Sequence, residues 1–487
     1  MTEINTSYLG RKGYTVLKNE LTEEKIKKIK SDLTVRPFVP KSPIPMPSFP
    51  VYRESSKKLY LPRYYGINEL GLYKTVNLNI GDDINVKFNG ELRDYQINIV
   101  NKYTEYISDS GGGLLEVDTG LGKTVIALNI ISKIKKKTLI IVHKEFLMSQ
   151  WIERINEFLP DMKVGKIQGK KIETEGNDIC IAMLQSLSMK TYKPEQFDSF
   201  GFTILDEVHH LGAEVFSQAL FNVVTNYVLG LSATMERKDG LTKIFKHFLG
   251  DIIHKEKRDT SKTTVLVKSI EYIANDEEFN EIIYDYRGNA AYSKMITKLC
   301  NFNHRTEFIL EVLKRILKEN NDQQVMILAH NKSILKYIYE GIKHKEIGEV
   351  GYYMGGMKQQ DLKESENKQI IVGTYAMASE GLDIKTLTTL IMATPKSDVI
   401  QTVGRILRSN HKQPMVIDII DTHNLFKRQY YQRRRYYNKQ KYIIERYTSK
   451  SYLSNTELDK DDDENDDNDD KPAKCEIPIK CMVPIKK

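Results

Sequence analysis

Two consecutive three-layer α/β domains are what this sequence predicts, and three observations carry the expectation. From Glu91 onward, short apolar runs bounded by turn or polar residues alternate with helical patterns: LLEV at 114, TLIIV at 138, ICIAM at 179, FTILD at 202 and YVLGL at 227. Buried parallel strands have that character. After a polar, helix-prone interval at about 273–320 the rhythm restarts with VMILA at 325, IIVGT at 370, TLIMA at 389 and MVIDII at 415. Finally, 487 residues with 40% hydrophobic content exceed what one core usually holds.

Taken in order, the chain opens on about 90 residues without that rhythm. Six prolines between residues 37 and 50 exclude a helix or central strand there and suggest a stiff connector. An accessory module over 1–90, set apart by this connector, is therefore expected. The first α/β domain follows over 91–258 and the second over 259–450. Residues 451–487 are expected to form a disordered acidic tail, because its segment Glu457–Asp470 holds ten acidic residues and one lysine and is too polar to bury a core. It suits recruitment of a basic partner, mimicry of nucleic acid, or solubility alone.

The formal charge of +8 hides an asymmetry: −9 on that segment and +4 after it leave +13 on residues 1–456. A polyanion partner fits this body, as does a lysine-rich solvated surface. Cys180, Cys300, Cys475 and Cys481 are too scattered for a zinc site or disulfide framework, which suits a reducing compartment. No run approaches the roughly 18 apolar residues of a membrane span, and the start lacks a signal peptide's apolar stretch. A soluble, intracellular monomer without membrane contact is expected, in nucleus, cytoplasm or virion.

Chemistry enters after Leu114–Val117, which feeds into Asp118-Thr119-Gly120-Leu121-Gly122-Lys123-Thr124 and then a helical pattern. Glycines there let backbone N–H groups converge on phosphate oxygens at a helix N-terminus. Lys123 would neutralise the outer phosphates and Thr124 would ligate Mg²⁺. The longer form of this motif wants glycine where Val117 stands. Further on, Thr203-Ile204-Leu205 ends in Asp206-Glu207-Val208-His209-His210. A carboxylate at a parallel strand's tip beside a phosphate loop suits a water-mediated Mg²⁺ ligand, the role given to Asp206. Glu207 would activate the attacking water. In the second domain, Gln401-Thr402-Val403-Gly404-Arg405-Ile406-Leu407-Arg408 sets two arginines three apart on a helical turn. Their fixed charge suits a phosphoryl transition state, or a surface salt-bridge network.

In this order and spacing the motifs resemble those of superfamily 2 helicases over residues 91–425. Arg93-Asp94-Tyr95-Gln96 is similar to the adenine-reading element, Gly120–Thr124 to motif I, Asp206–His209 to the DExH form of motif II and Ser232-Ala233-Thr234 to motif III. Gly373–Asp383 is similar to motif V and Gln401–Arg408 to motif VI. The resemblance implies tandem RecA-like domains hydrolysing ATP with Mg²⁺. By it, Gln96 reads adenine, Thr119–Thr124 hold phosphates, Asp383 meets the ribose, and Arg405 and Arg408 reach the nucleotide from the second domain. His209, Ser232 and Thr234 would couple nucleotide to domain motion.

Lys144, Trp151, Gln168-Gly169-Lys170, Gln185-Ser186 and Thr374 match positions expected to grip a sugar-phosphate backbone, on the face opposite the phosphate loop. Trp151 also fits a core pattern with Phe146, Leu147 and Ile155. Phe426–Lys450 interleaves nine Lys/Arg with six tyrosines. It reads as a basic helix that follows a duplex, or as one that docks its tyrosines on the second domain. Gly165–Lys171 and Glu236-Arg237-Lys238-Asp239-Gly240 resemble the XPB, phage UvsW and poxvirus transcript-release group, and Tyr52–Tyr65 is similar to poxvirus and giant-virus members. That group implies duplex DNA as substrate, 3′ to 5′ unwinding, and transcription, repair or recombination machinery as partners. Arg237-Lys238-Asp239 stands where XPB-type loops carry Arg-Glu-Asp. An RNA helicase shares every ATP-site residue, and a nonenzymatic nucleic-acid-binding or polymerase-associated subunit is the reading from another class.

Overall fold

The structure, a computed structural model, describes residues 6–37, 46–193, 195–210, 213–235, 240–258, 265–380, 384–404, 406, 413–454 and 456. The chain divides into two compact units, Met1–Lys262 with Ala376–Ile384 and Thr263–Tyr375 with Lys385–Lys487.

In the first unit the N-terminal residues supply β1 (Tyr8–Gly10), β2 (Gly13–Leu17), β3 (Thr34–Val35), β4 (Phe49–Pro50), β5 (Arg53–Glu54), β6 (Lys58–Leu61) and β7 (Thr75–Asn77). They form a mixed sheet in the order β5-β6-β2-β1-β7 and a separate β3-β4 pair, where Pro50 occupies an edge as its missing N–H requires. An eight-stranded sheet follows, from β8 (Gly112–Val117), β9 (Thr138–Val142), β10 (Val164–Gln168), β11 (Lys171–Ile172), β12 (Ile179–Met183), β13 (Phe202–Leu205), β14 (Tyr227–Ser232) and β15 (Ile252–Glu256). Its order is β11-β10-β12-β9-β13-β14-β8-β15, parallel except for the β10–β11 hairpin.

Successive strand residues point to opposite cores. Leu115, Val117, Ile140 and Val142 pack with the helices Asp94–Ser110, Lys123–Ile134 and Glu145–Phe158, while Leu114, Leu139 and Ile141 join the other side. A strand covered on both faces has no polar alternation, which is why these runs are apolar throughout.

The expected separation of the N-terminal module is not observed. Tyr14, Val16, Leu59, Leu61 and Tyr64 share one buried cluster with Leu114, Phe216, Phe221 and Phe248. A module this small closes its core by covering a neighbour's apolar surface. Its polar anchors fall at the amino ends of the strands. Buried Arg63 donates to the Asn226 carbonyl (2.8 Å) and the Tyr73 hydroxyl (2.9 Å), and Tyr64 donates to the Ser110 carbonyl (3.0 Å). Lys137 N–H donates to the Asp82 carbonyl (2.8 Å) just before β9. Glycine at 111 makes room for the guanidinium, since a Cβ there would lie 2.2 Å from Arg63 Nη2. Residues 38–45 of the Pro-rich stretch lie outside the described residues.

The second unit holds β16 (Leu266–Tyr272), β17 (Gln324–Ala329), β18 (Val350–Tyr353), β19 (Ile370–Thr374), β20 (Leu387–Met392), β21 (Met415–Asp421) and β22 (Ile443–Thr448), in the order β18-β19-β17-β20-β21-β16-β22, all parallel. Two buried, bidentate ion pairs pin helices to β21. Arg305 of the helix Asn303–Glu319 meets Asp421 at 2.6 and 2.8 Å, and Arg433 of the helix Asn424–Lys439 meets Asp418 at 2.8 Å twice. The basic stretch is thus not one helix to Lys450. Left-handed Lys441 (φ 56°) ends it, and the β-branched pair Ile443-Ile444 opens β22. Phe426, Tyr430, Arg433 and Tyr437 form its buried face, so the tyrosine-docking reading holds for that face; Arg428, Arg435 and Lys439 lie on the exposed one.

His247 packs edge-on against Tyr65, ring centroids 5.1 Å apart. Burial, helped by Lys243, pulls its pKa from 6.5 down to about 4. The unfolded chain therefore binds this proton first as pH falls, so stability is full above the unfolded value and declines toward the folded one. His247→Phe should reduce the stability lost between pH 7 and pH 5 by about 1–2 kcal/mol, read from urea unfolding at the two pH values.

Candidate functional site

β8 runs into Asp118–Leu121, and Gly122 caps the helix Lys123–Ile134. Gly120 (φ 86°) and Gly122 (φ 81°) both need the left-handed region, where glycine alone is at ease. Gly122 also lacks space for a side chain, because a Cβ would lie 2.5 Å from Gln96 Nε2. Gln96 is buried, donates from Nε2 to the Leu121 carbonyl (3.0 Å) and accepts Arg93 N–H at Oε1 (3.0 Å); the Tyr95 hydroxyl also donates to Leu121 (3.1 Å). The loop is thereby braced from the helix Asp94–Ser110. On its other side, Asp118 N–H donates to the Glu256 carbonyl (3.0 Å) and the Asp118 carboxylate accepts Arg258 N–H (3.0 Å). Val117, where the longer motif wants glycine, is the fully buried last residue of β8. The turn therefore starts one residue later.

β13 delivers Asp206 and Glu207 beside this loop. Lys123 Nζ lies 3.1 Å from Glu207 Oε1. Glu207 has φ 49°, an uncommon backbone state for a residue with a side chain, of the kind that collects at functional sites. Asp206 Oδ1 accepts the N–H of Glu207 (3.0 Å) and Oδ2 accepts Nε1 of Trp151 (2.9 Å). Burial, reinforced by the charge of Glu207 and opposed by Lys123, raises the Asp206 carboxyl to about 6. His209 Nδ1 is 2.6 Å from Ser232 Oγ at the end of β14 and 3.4 Å from Glu207 Oε2, and the Ser232 hydroxyl donates to the Thr234 carbonyl.

A divalent cation fits this donor set. Thr124 and Asp206 offer hard oxygens, and a buried carboxyl that resists ionisation gains from a nearby cation. Among the described residues no cluster of three or more His, Cys, Asp or Glu could hold a metal. Mg²⁺ dehydrates reluctantly, so it would be held by Thr124 and through water by Asp206 beside the phosphates.

The structure thus brings Gln96, Thr119–Thr124, Asp206, Glu207, His209 and Ser232 together, while Asp383, Arg405 and Arg408 lie outside the described residues. The nucleic-acid candidates are not on an opposite face. Lys144, Gly169, Gln185 and Ser186 follow the carboxyl ends of β9, β10 and β12, the same edge from which the phosphate loop leaves β8. They are displaced along the sheet rather than across it, because parallel strands all end at one edge. Ser186 Oγ accepts Gly169 N–H (3.0 Å), Gln185 donates to the His143 carbonyl (3.2 Å), and Lys170 is exposed. Thr374 ends β19 in the second unit. Trp151 is buried, as the core pattern predicts, and does not offer a stacking face. Its bond to Asp206 escaped sequence reasoning: the helical pattern marks the buried face but not the indole's partner, 55 residues away.

Comparison with known proteins supplies the family. A model described as "Type III restriction enzyme, res subunit" matches residues 89–237, and one described as "Helicase conserved C-terminal domain" matches residues 308–410. A protein of Acanthamoeba polyphaga mimivirus, "Putative ATP-dependent RNA helicase L396", is 38% identical over 440 residues, spanning 87% of this chain and 84% of its own. The chain is a superfamily 2 helicase. The helicase is also 29% identical over 373 residues to QP509L of African swine fever virus, which carries the same designation, across 70% of this chain and 72% of that one. Its fold is similar to that of S. cerevisiae Dbp5 solved with RNA and ADP BeF3, with TM-score 0.52 and 12% identity over 74% of this chain and 95% of that chain. Two RecA-like domains, ATP hydrolysis and action on nucleic acid follow for the helicase. Among its described residues no helix is long and apolar enough to cross a membrane.

Gly122→Ala would force a left-handed alanine and push Gln96 off Leu121. ATP affinity should fall about tenfold while the chain still folds, as read by titration with a fluorescent nucleotide.

Proposed function

We propose that the helicase binds ATP and Mg²⁺ in the hollow between Gly120–Thr124 and Asp206–Glu207, and that hydrolysis there drives it along duplex DNA, 3′ to 5′ where it unwinds. The Lys123–Glu207 contact at 3.1 Å carries the reading of the site. At that distance the two side chains neutralise each other. An incoming phosphate competes for Lys123, and the carboxylate so released can orient water and accept its proton. Loop N–H groups at the helix start add further positive potential. Bound Mg²⁺, held by Thr124 and through water by Asp206, would neutralise charge on the phosphate oxygens. Adenine reading by Gln96 requires exchange of its present bonds to Arg93 and Leu121. Asp383 would take the ribose, and Arg405 and Arg408 would stabilise the transition state from the second domain. The short path from Glu207 through His209 and Ser232 to Thr234 suits a relay of nucleotide state.

Contacts at the ends of β9, β10 and β12 come from backbone, hydroxyl and lysine groups, which hold a sugar-phosphate chain without reading sequence. The DNA reading rests on the resemblance of Gly165–Lys171 and Glu236–Gly240 to the XPB and UvsW group. RNA is the second reading, favoured by the names of L396 and QP509L as RNA helicases. Hydrolysis assayed with single-stranded DNA, duplex DNA, forked DNA and RNA separates them: duplex DNA should stimulate most, and greater stimulation by RNA reverses the assignment.

Glu207→Gln should bind ATP normally and lose about 10²–10⁴-fold in turnover, checked by nucleotide titration beside phosphate release. Arg408→Ala should lose about a thousandfold in stimulated turnover with nucleic-acid affinity unchanged, and undiminished turnover would remove the second domain from the site.

A further inference from the structure

We propose that Trp151 is a positioning residue for hydrolysis, its indole N–H fixing the Asp206 carboxylate, and that this single tryptophan reports by fluorescence on the nucleotide state of the site. The inference rests on the role assigned above to Asp206.

Trp151 lies on the helix Glu145–Phe158, on the face that also buries Leu147, Met148 and Ile155. At 2% exposure its N–H has no access to solvent, and an indole nitrogen can only donate. The acceptor it meets is Asp206 Oδ2 at 2.9 Å, a charge-assisted bond when the carboxylate is ionised. Oδ1 meanwhile takes the N–H of Glu207 at 3.0 Å, from the residue whose backbone is left-handed. The two donors approach from different elements, a helix and the turn after β13, and together fix the plane of the carboxylate. Each oxygen keeps capacity for a further bond. A residue serving only as packing could be phenylalanine or leucine. Tryptophan adds a donor that must be satisfied, and here a functional carboxylate satisfies it.

The chain contains one tryptophan, so its emission arises from this ring alone. An indole hydrogen-bonded to a carboxylate that gathers water around a bound cation changes surroundings when that cation and nucleotide arrive.

The test compares the full chain with Trp151→Phe and Asp206→Asn. Trp151→Phe keeps an aromatic ring in the core and removes the donor. Its kcat should drop about tenfold with KM for ATP nearly unchanged, and the Mg²⁺ concentration for half-maximal rate should rise by a similar factor. In wild type, Mg²⁺ with a β,γ-imido ATP analogue should change the emission. Asp206→Asn keeps Trp151 and should abolish turnover, alter the resting emission and lose that response. Trp151→Phe with wild-type kcat and Mg²⁺ dependence would overturn the positioning role, as would identical emission from wild type and Asp206→Asn with and without the analogue. Full turnover by Asp206→Asn would instead overturn the assignment of Asp206, a result separable from the behaviour of Trp151. The emission comparison uses the native tryptophan, so it remains decisive even if Trp151→Phe folds poorly.

Discussion

Parallel pairing sends every main strand of the first α/β sheet out at the same edge, and the rest of the site depends on that constraint. Because β8, β13 and β14 are neighbours, the loops that follow them place Lys123, Glu207 and Ser232 close together without any long-range design of the backbone. Because β9, β12 and β10 continue the same sheet, the groups suited to a sugar-phosphate chain emerge alongside. The proposed nucleotide and nucleic-acid contacts would therefore share one sheet edge, separated by the width of a few strands at about 4.8 Å each.

That platform concentrates charge where water is scarce. Two adjacent carboxylates face one lysine, and the buried Asp206 is held closer to neutrality than an ordinary aspartate. The arrangement is poised rather than relaxed: a left-handed glutamate, two left-handed glycines and a carboxylate short of positive charge all sit in one turn of space. Phosphates and a divalent cation would offset that imbalance. In the second unit the same residue types do the opposite. Arg305–Asp421 and Arg433–Asp418 are closed, buried pairs with no charge to spare, and they lock helices against β21.

What the sequence revealed follows from what each strand faces. The runs at 138, 179, 325, 370 and 415 are covered on both sides and lie within observed strands, and the run at 202 overruns its strand only by Asp206. The strands VGKIQ, IIHKE, LVKSIEY, VGYY and IIERYT escaped notice because they lie at or next to sheet edges, where lysine, glutamate and tyrosine dilute the apolar signal. In the site, the loop and the Asp-Glu pair were legible because each is contiguous in sequence. Bracing of the loop by Tyr95, Gln96 and Asp118, and of Asp206 by Trp151, joins residues 25 to 140 positions apart, and local pattern carries no record of such meetings. The expectation of a detached N-terminal module failed for a related reason. Prolines mark where a chain is stiff, not what the flanking surfaces will cover.

That module has a further consequence. Arg63 lies buried under Gly111, donating to the Asn226 carbonyl and the Tyr73 hydroxyl, and apolar side chains of both parts share the cluster around it. Peeling the module away would wet a large greasy surface and strand a guanidinium pocket, so partial detachment has no comfortable intermediate. The described N-terminal strands and the first α/β sheet should consequently unfold and resist proteases as one unit.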